Sequence, residues 1–296
     1  MCGIVGLLIK KPSLRQSIGQ LMLPMLVGMT ERGPESAGLA IFTEPEAKGA
    51  LKYSLYGKVV DWSVVAGRVK EAFDAAATLS PRDNHAILVS TKTPEAVKAW
   101  IAENFPRLHV LSTGQSIDVY KDTGSPLDVA TRYGFEGMSG THLVGHTRMA
   151  TESAVTPAHA HPFTAGQDWC LVHNGSLSNP NQIRRKLQHE GIAFETDNDT
   201  EAACRFFEWR MREGDTLGEA LEQGFEELDG FFTFLMGTGD ELALVRDPFA
   251  CKPAIVAEHD DYVAISSEFR SLAKLPDVAN AHLYEPVPER LYIWKV

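Results

Sequence analysis

The sequence has few cysteines, and they lie far apart. They are Cys2, Cys170, Cys204 and Cys251, with no Cys-x-x-Cys pair among 296 residues. This scatter argues against a disulfide framework and against a cysteine-rich zinc site. It is typical of proteins from a reducing compartment, so we expect a cytoplasmic protein that folds without covalent cross-links.

Long apolar runs and an excess of positive charge are also missing. No stretch approaches about 18 consecutive apolar residues, and the start of the chain lacks the basic region of an export signal. The formal net charge is −11, which disfavours nucleic-acid and anionic-membrane partners. At 44% hydrophobic and 23% charged residues, the composition indicates a globular protein with a sizeable core.

Hydrophobic periodicity predicts strands at both ends of the chain and a cluster of helices between them. The apolar stretch Ile4–Ile9 predicts a buried strand almost at the start, and residues 199–212 and 216–228 predict two helices. Such an order indicates sheets covered by helices in layers. Residues 45 to about 140 differ in character and contain no catalytic constellation, so we interpret them as an inserted subdomain.

Cys2 is the first candidate for chemistry. If Met1 is removed, one residue carries both a thiol and a free α-amine, and the amine can act as the base for its own nucleophile. The alternative is that Cys2 is a small buried residue that merely follows the initiator. The residues around Cys2 leave both interpretations open.

Three later segments offer what amide cleavage needs besides a nucleophile. Arg148 follows a predicted strand, where a guanidinium can bind a carboxylate or simply form a surface ion pair. Asn174 and Gly175 follow another predicted strand and form either an oxyanion hole or a plain turn. Asp199 opens a predicted helix, as its N-cap or as a carboxylate for a substrate ammonium.

Taken together, the motifs resemble the class II glutamine amidotransferases, the N-terminal-cysteine family of Ntn hydrolases. Several of them, in family order, cover nearly the whole chain outside 45–140. They are Met1-Cys2-Gly3-Ile4-Val5-Gly6, Arg32-Gly33-Pro34-Glu35-Ser36-Ala37-Gly38, Gly145-His146-Thr147-Arg148-Met149-Ala150-Thr151, Ala160-His161-Pro162-Phe163, His173-Asn174-Gly175, Asp199-Thr200-Glu201, and Arg246-Asp247-Pro248 through Lys252-Pro253 to Ser266-Ser267-Glu268.

The resemblance implies a fold and a set of roles. The fold is α+β, a four-layer αββα sandwich of two antiparallel sheets, spanning residues 2–296 with an α/β insertion at about 45–140. Cys2 would attack the side-chain amide of L-glutamine and form a glutamyl thioester. The remaining roles would be an oxyanion hole at Asn174 and Gly175, substrate binding by Arg148, Asp199, Thr151 and His173, and a gating loop at Arg32, Gly33 and Ser36.

Departures from the family pattern concern the partner more than the chemistry. Many relatives have tryptophan where this chain has Met149 and histidine where it has Glu152. No synthase signature follows the glutaminase motifs, so we expect the ammonia acceptor on a separate, glutamate-synthase-like subunit such as N-methylglutamate synthase. That subunit would carry FMN and an iron–sulfur cluster, and we expect no cofactor in this chain.

Three alternatives remain at this stage. His159 and His161 could be a metal pair, but no acidic or cysteine partner stands at ligand spacing, so we expect no metal. The chain could be a free-standing N-terminal-cysteine amidohydrolase acting on another amide. It could also be a regulatory or docking module that senses glutamine without turnover.

Overall fold

The computed structural model describes residues 2–149 and 155–296. Met1 and Thr151 lie outside the described residues. The strands are β1 (Gly3–Ile9), β2 (Ser36–Phe42), β3 (Leu51–Tyr56), β4 (Thr78–Arg82), β5 (His85–Ser90), β6 (His109–Gly114), β7 (Ile117–Thr123), β8 (His142–Arg148), β9 (Phe163–Thr164), β10 (Cys170–Leu177), β11 (Gly230–Gly237), β12 (Glu241–Arg246), β13 (Ile255–Glu258), β14 (Tyr262–Ser266), β15 (His282–Tyr284) and β16 (Tyr292–Lys295).

The helices lie mainly in two groups. They are α1 (Ile18–Val27), α2 (Trp62–Ala72), α3 (Pro94–Asn104), α4 (Pro126–Tyr133), α5 (Pro180–His189), α6 (Asp199–Arg212), α7 (Leu217–Glu227) and α8 (Phe269–Leu272). Helix α7 begins with a capping box, in which Thr216 and Glu219 bond each other's backbone N–H groups. No helix within the described ranges has the length and apolarity needed to cross a bilayer.

Two antiparallel sheets stack face to face and give the fold its four layers. Within the described residues, the larger sheet has the order β15-β13-β14-β1-β8-β2-β7, and the smaller has β16-β12-β11-β10-β9. One apolar core lies between the sheets, a second lies between the larger sheet and α1, α4 and α8, and a third lies between the smaller sheet and α5–α7. This is the αββα sandwich that the motifs implied.

Residues at the start of the chain form the middle of the larger sheet. Strand β1 pairs with β14 on one side and with β8 on the other, and all seven of its residues are buried. Gly6 allows the sheets to approach closely, because a Cβ there would lie 2.9 Å from Leu235 Cδ2 of the smaller sheet. The residue that precedes β1 is therefore anchored to rigid structure.

A third sheet, with the order β4-β5-β3-β6, comes from the middle of the chain. Its β-α-β-β-α-β sequence of elements is ferredoxin-like, with α2 and α3 packed on one face. The other face contacts β7, where the Val119 N–H donates to Ser54 Oγ at 2.8 Å. Strand β7 and helix α4 also lie within 45–140, yet they pack as part of the larger sheet and its outer layer.

Some local details differ from the sequence-based expectation. The segment Pro81–Asn84 reads as a turn, but Thr78–Arg82 is an edge strand, and only Asp83 and Asn84 connect it to β5. Proline is tolerated there because an edge strand leaves one side of its backbone unpaired. The N-cap of α6 is Asn198 rather than Asp199, since its side chain accepts from the Thr200 N–H at 2.9 Å.

Candidate active site

The side chains of Cys2, Arg148 and Asn174 lie on the strand faces that are directed into the space between the two stacked sheets. The neighbours two residues away on each strand, Ile4 on β1 and Val172 on β10, lie in the core between the sheets. Because side chains alternate along a strand, Cys2 and Asn174 face the same space. Arg148 lies four residues after Val144 on β8, so both side chains lie on the same face of the sheet, and Val144 belongs to the same core. Because Gly3 pairs with Thr147, Arg148 lies beside Cys2.

The backbone around Cys2 is held by several hydrogen bonds. The Arg32 Nε–H donates to the Cys2 carbonyl oxygen at 2.9 Å, and Arg32 also pairs with Glu268 at 3.3 Å. The Ile4 N–H donates to Ser267 Oγ at 3.0 Å, and the Ser267 N–H donates back to the Ile4 carbonyl at 3.1 Å. These contacts fix the position from which the thiol acts.

The thiol of Cys2 has competing electrostatic influences. It is partly buried, and desolvation raises its pKa above the usual range for a thiol. A backbone hydrogen bond at Met149 and the positive charges of Arg148 and Arg32 act in the opposite direction. Burial therefore keeps the group as a thiol that needs a base.

Asn174 and Gly175 are placed to stabilise a developing negative charge. Asn174 is 2% exposed, and its Nδ2 has no hydrogen-bond partner among residues 2–149 and 155–296. The Phe232 N–H donates to Asp247 Oδ2, and the Phe232 carbonyl oxygen accepts from the Asp247 N–H, so both groups point away from β10. The Gly175–Phe232 pair is thus a non-hydrogen-bonded pair of the ladder, and the Gly175 N–H points away from β11.

Glycine is required at position 175 by packing. A Cβ there would lie 1.9 Å from the Phe231 carbonyl oxygen. Strand β10 also does not end at His173, as the sequence suggested, but continues to Leu177. Its pairing with β11 therefore holds the candidate oxyanion donors rigidly instead of leaving them in a turn.

Asp199 lies at the start of α6 and is ionised at neutral pH. Burial opposes ionisation, but the nearby His173 and the N–H donors of Leu177 and Thr200 lower the pKa of Asp199 to about 2. The Leu177 N–H donates to Asp199 Oδ2 at 2.9 Å. A fixed carboxylate at this position can accept a substrate ammonium.

A group of buried histidines, which sequence analysis did not foresee as a unit, links these elements. Thr200 Oγ1 lies 2.9 Å from His161 Nε2 and 3.1 Å from His173 Nδ1. The rings of His146 and His161 stack with centroids 4.0 Å apart. Burial lowers the pKa of His146 to about 3 and that of His161 well below the usual value, so both are neutral.

Other site predictions fall on the loop before β2. Gly33 packs on the backbone of β8, because a Cβ there would lie 2.4 Å from Arg148 N. Ser36 is fully buried at the start of β2, opposite Arg148. The loop that carries Arg32 and Gly33 thus contacts both Cys2 and Arg148.

His159 and His161 do not converge on a common point. The ring of His159 lies 2.8 Å from Asp197 Oδ1, whereas His161 contacts Thr200. Within the described residues, no group of three or more histidine, cysteine or acidic side chains is arranged to hold a metal ion.

The later motif Arg246-Asp247-Pro248 has a role that the sequence did not reveal. Asp247 Oδ2 accepts from the Phe232 N–H at 2.9 Å, and Asp247 Oδ1 accepts from the N–H groups of Phe249 and Ala250. Asp247 thereby holds β11 opposite the Asn174–Gly175 step. Its side chain orders the strand that shapes the oxyanion site, without touching the site itself.

Comparisons with known proteins agree with this geometry. A family model described as a glutamine amidotransferase domain matches residues 146–274. The glutamine amidotransferase-like protein GlxB of Rhizobium meliloti is 46% identical over 296 residues, covering 99% of this chain and 98% of that protein. A putative glutamine amidotransferase of Methanothermobacter thermautotrophicus is 34% identical over 313 residues, covering 99% of each.

More distant similarity extends to larger proteins. An amidophosphoribosyltransferase of Methanocaldococcus jannaschii is 28% identical over 167 residues, 55% of this chain but 36% of that protein. Glutamine phosphoribosylpyrophosphate amidotransferase from B. subtilis shares the fold at a TM-score of 0.63 and 19% identity, over 99% of this chain and 47% of that one. The 46% and 34% identities, each over nearly the full length of both proteins, and the shared fold place this chain in the class II glutamine amidotransferase family, as an amidotransferase enzyme.

Proposed function

We propose that this enzyme hydrolyses the side-chain amide of L-glutamine through a thioester on Cys2 and passes the ammonia to a separate synthase subunit. The observation that carries the proposal is the buried Asn174 Nδ2, which has no acceptor within the described ranges and faces the same space as Cys2. A buried donor without an acceptor is costly, so such a group is typical of a site completed by a ligand.

The reaction follows from these positions. The sulfur of Cys2 attacks the side-chain amide carbon of glutamine, and the carbonyl oxygen becomes an oxyanion that accepts from Asn174 Nδ2 and the Gly175 N–H. The carbon–nitrogen bond then breaks, and the nitrogen leaves as ammonia with the proton taken from the thiol. Water attacks the thioester, releasing glutamate and restoring the thiol. The base is the Cys2 α-amine, which exists once Met1 is removed.

Two charges select an α-amino acid. Arg148, 4% exposed beside Cys2, would bind the α-carboxylate through its planar guanidinium. Asp199 would accept the α-ammonium, with His173 behind it at 3.8 Å. Thr151, which lies outside the described residues, is proposed to line the same pocket. An amide that lacks a free ammonium leaves Asp199 without its partner, which disfavours a general amidohydrolase.

A substrate comparison tests this assignment. Ammonia release from L-glutamine should greatly exceed release from Nα-acetyl-L-glutamine, and Asp199→Asn should reduce that preference. Equal cleavage of both amides by the wild-type enzyme would favour a general amidohydrolase. Glutamine binding without any ammonia release would favour the sensing module.

The loop that carries Arg32 and Gly33 is proposed to gate the site, whereas Ser36, which was also assigned to that loop, belongs to strand β2 and is fully buried. The loop contacts the Cys2 carbonyl and the Arg148 backbone, so its movement would open the space around the thiol. We further propose that residues 2–296 form one cytoplasmic amidotransferase domain with an insertion at about 45–140. The separate sheet β3–β6 supports the insertion.

An exposed aromatic pair supports the partner proposal. Phe231 and Phe249 are 47% and 71% exposed, and their ring centroids are 5.4 Å apart. The backbone of Phe231 lies directly against Gly175. Exposed apolar side chains beside a site are typical of interaction surfaces. We propose a glutamate-synthase-like partner with FMN and an iron–sulfur cluster, for which N-methylglutamate synthase is the model.

Purification of the tagged chain from its native cells tests the partner. We expect a flavin-containing, iron–sulfur synthase subunit to copurify with the wild-type chain, and less of it with Phe249→Ser. Leu127→Ser changes another exposed apolar residue, which lies on α4 and is 52% exposed, and serves as the control. A chain that is recovered alone and already has a high glutaminase rate would contradict the proposal.

A further inference from the structure

A cavity of about 580 Å³ lies between the inserted sheet and the amidotransferase layers. Its walls include the rings of Tyr56 and Phe163 and the side chains of Leu111 and Pro157. This volume falls in the range of small-molecule sites, which are largely apolar with a few convergent polar groups. Neither the glutamine reaction nor the partner proposal uses this space.

The charged groups that line the cavity are mostly positive. The cationic side chains are Lys58, Lys98, Arg107, Lys121 and Arg205, against the carboxylates Glu195 and Glu201. Both carboxylates are already paired with Arg205, at 3.4 Å and 2.7 Å. A cluster of unneutralised cations in a chain of net charge −11 focuses a positive potential on this cavity.

Three of the cations lie at the rim. Lys58 lies in the loop that follows β3, Lys98 lies on α3, and Arg107 lies in the loop before β6. All three are exposed, and none forms an ion pair with a residue that the structure describes. Exposed lysines on their own are ordinary, but these surround an opening whose interior holds a further lysine.

Lys121 is that interior cation. It is 6% exposed, and its Nζ donates to the carbonyl oxygens of Ala160 and Pro162 at 2.9 and 3.1 Å. An ammonium has three donors, and the third has no oxygen acceptor among the described residues. The ammonium also lies 4.8 Å from the centroid of the Phe163 ring, which lines the cavity. Burial without a paired carboxylate lowers the pKa of Lys121 to about 8.

We propose that this cavity binds a small organic anion with an aromatic or apolar body, whose oxyanion lies between Lys121 and the rim lysines. The body would contact Tyr56 and Phe163, and the charge would satisfy the remaining Lys121 donor. Lys121 holds the carbonyl groups on either side of His161, which contacts Thr200 at the glutamine site. An anion on Lys121 would therefore also affect the segment that positions the substrate residues.

Fluorescence titration with anilinonaphthalene sulfonate, an aromatic anion, tests the site in the full-length protein. We expect saturable binding of one dye molecule per chain. Lys58→Glu/Lys98→Glu should weaken binding about 10- to 100-fold, because each reversal replaces a weak, solvent-screened attraction with a repulsion. Lys121→Met should also weaken it, with thermal unfolding used to verify that this variant is folded.

A matched charge reversal provides the control. Lys48→Glu/Lys70→Glu changes two exposed lysines that do not line the cavity, so binding should stay within about twofold of wild type. No saturable binding, or equal weakening by both double variants, would overturn the proposal.

Competition then identifies the charged group. Phenyl phosphate and benzoate share an aromatic ring and differ in the oxyanion. Displacement of the dye by one of them identifies a phosphate or a carboxylate site, and displacement by both indicates an anion site without that selectivity. If neither displaces the dye, the proposal is wrong. Binding is measured without glutamine, so its outcome is independent of the glutaminase assay.

Discussion

The His146 Nε2–H donates a 3.0 Å hydrogen bond to the carbonyl oxygen of His173, across the gap between the two stacked sheets. His146 lies two residues before Arg148, and His173 directly precedes Asn174. This bond therefore links the strand that carries Arg148, the proposed substrate anchor, to the strand that carries Asn174, the proposed oxyanion donor. Burial lowers the pKa of His146 to about 3, so the ring is neutral at neutral pH and this bond fixes its proton on Nε2.

Replacing His146 should affect both stability and activity. His146→Phe keeps a ring against His161 but leaves the His173 carbonyl without its donor. We expect a loss of about 1–3 kcal/mol in the free energy of unfolding, measured by urea denaturation, together with a lower kcat/KM for glutamine.

His142 offers a control on the same strand. It is buried, donates to the Thr238 carbonyl at 2.8 Å and lies away from Arg148. His142→Phe should cost similar stability while kcat/KM changes little. Equal effects of the two substitutions on kcat/KM would show that the His146 bond has no special role at the site.

Asn174→Ala should lower kcat for glutamine about 10²- to 10³-fold, because it removes one oxyanion donor. KM should change much less, since the donor acts on charge that develops in the transition state. Asn179→Ala is the control: its side chain bonds the Glu227 carbonyl and the Asp229 N–H, so it should reduce stability without this loss of kcat. A kcat for Asn174→Ala within a few-fold of wild type would rule out the oxyanion role.

Asp199 should make stability depend on pH in the acid range. Its folded-state pKa of about 2 lies below the unfolded value of 3.8, so its contribution is present above about pH 4 and is lost as pH falls through about 2. The shift corresponds to about 2 kcal/mol. The difference in unfolding free energy between wild type and Asp199→Asn should therefore shrink by about that amount from about pH 5 to about pH 2. A constant difference would contradict the lowered pKa.

Arg32 should act through the position of Cys2. Arg32→Ala removes the donor to the Cys2 carbonyl, and we expect kcat to fall about 10- to 100-fold with a smaller change in KM. Arg270→Ala removes the other arginine that pairs with Glu268, at 2.7 Å, without touching Cys2. If both variants lose the same activity, the effect of Arg32 passes through Glu268 and not through the nucleophile.

Local sequence patterns predicted most of the elements because each has its own signal. The helix Asp199–Arg212 was predicted as the structure has it, and the helix predicted at 216–228 forms at Leu217–Glu227. Strand β4 was missed because its exposed residues, interrupted by Pro81, show no alternation and pair only with β5. The continuation of β10 beyond His173 was also missed, because Asn-Gly is a turn signal that pairing with β11 overrides.

For the site as well, local motifs predicted individual residues but not the contacts between them. Motifs predicted roles for Cys2, Arg148, Asn174 and Asp199, since each residue type suits a distinct chemical task, and these roles stay predictions. The bonds that organise them join positions that are distant in the chain, such as Arg32 to Cys2 and Ile4 to Ser267. No local pattern encodes such pairs, because tertiary packing alone brings them together. The buried Lys121 was hidden for the same reason.

Ammonia release from L-glutamine by the purified protein, compared between wild type and Cys2→Ala, tests the proposed chemistry most directly. Mass spectrometry of the intact chain should first establish that Met1 has been removed, so that Cys2 carries the free amine. We expect steady release of ammonia and glutamate by the wild type and none above background by Cys2→Ala. Equal release by both proteins, or none by a correctly processed wild type, would contradict a Cys2 thioester route.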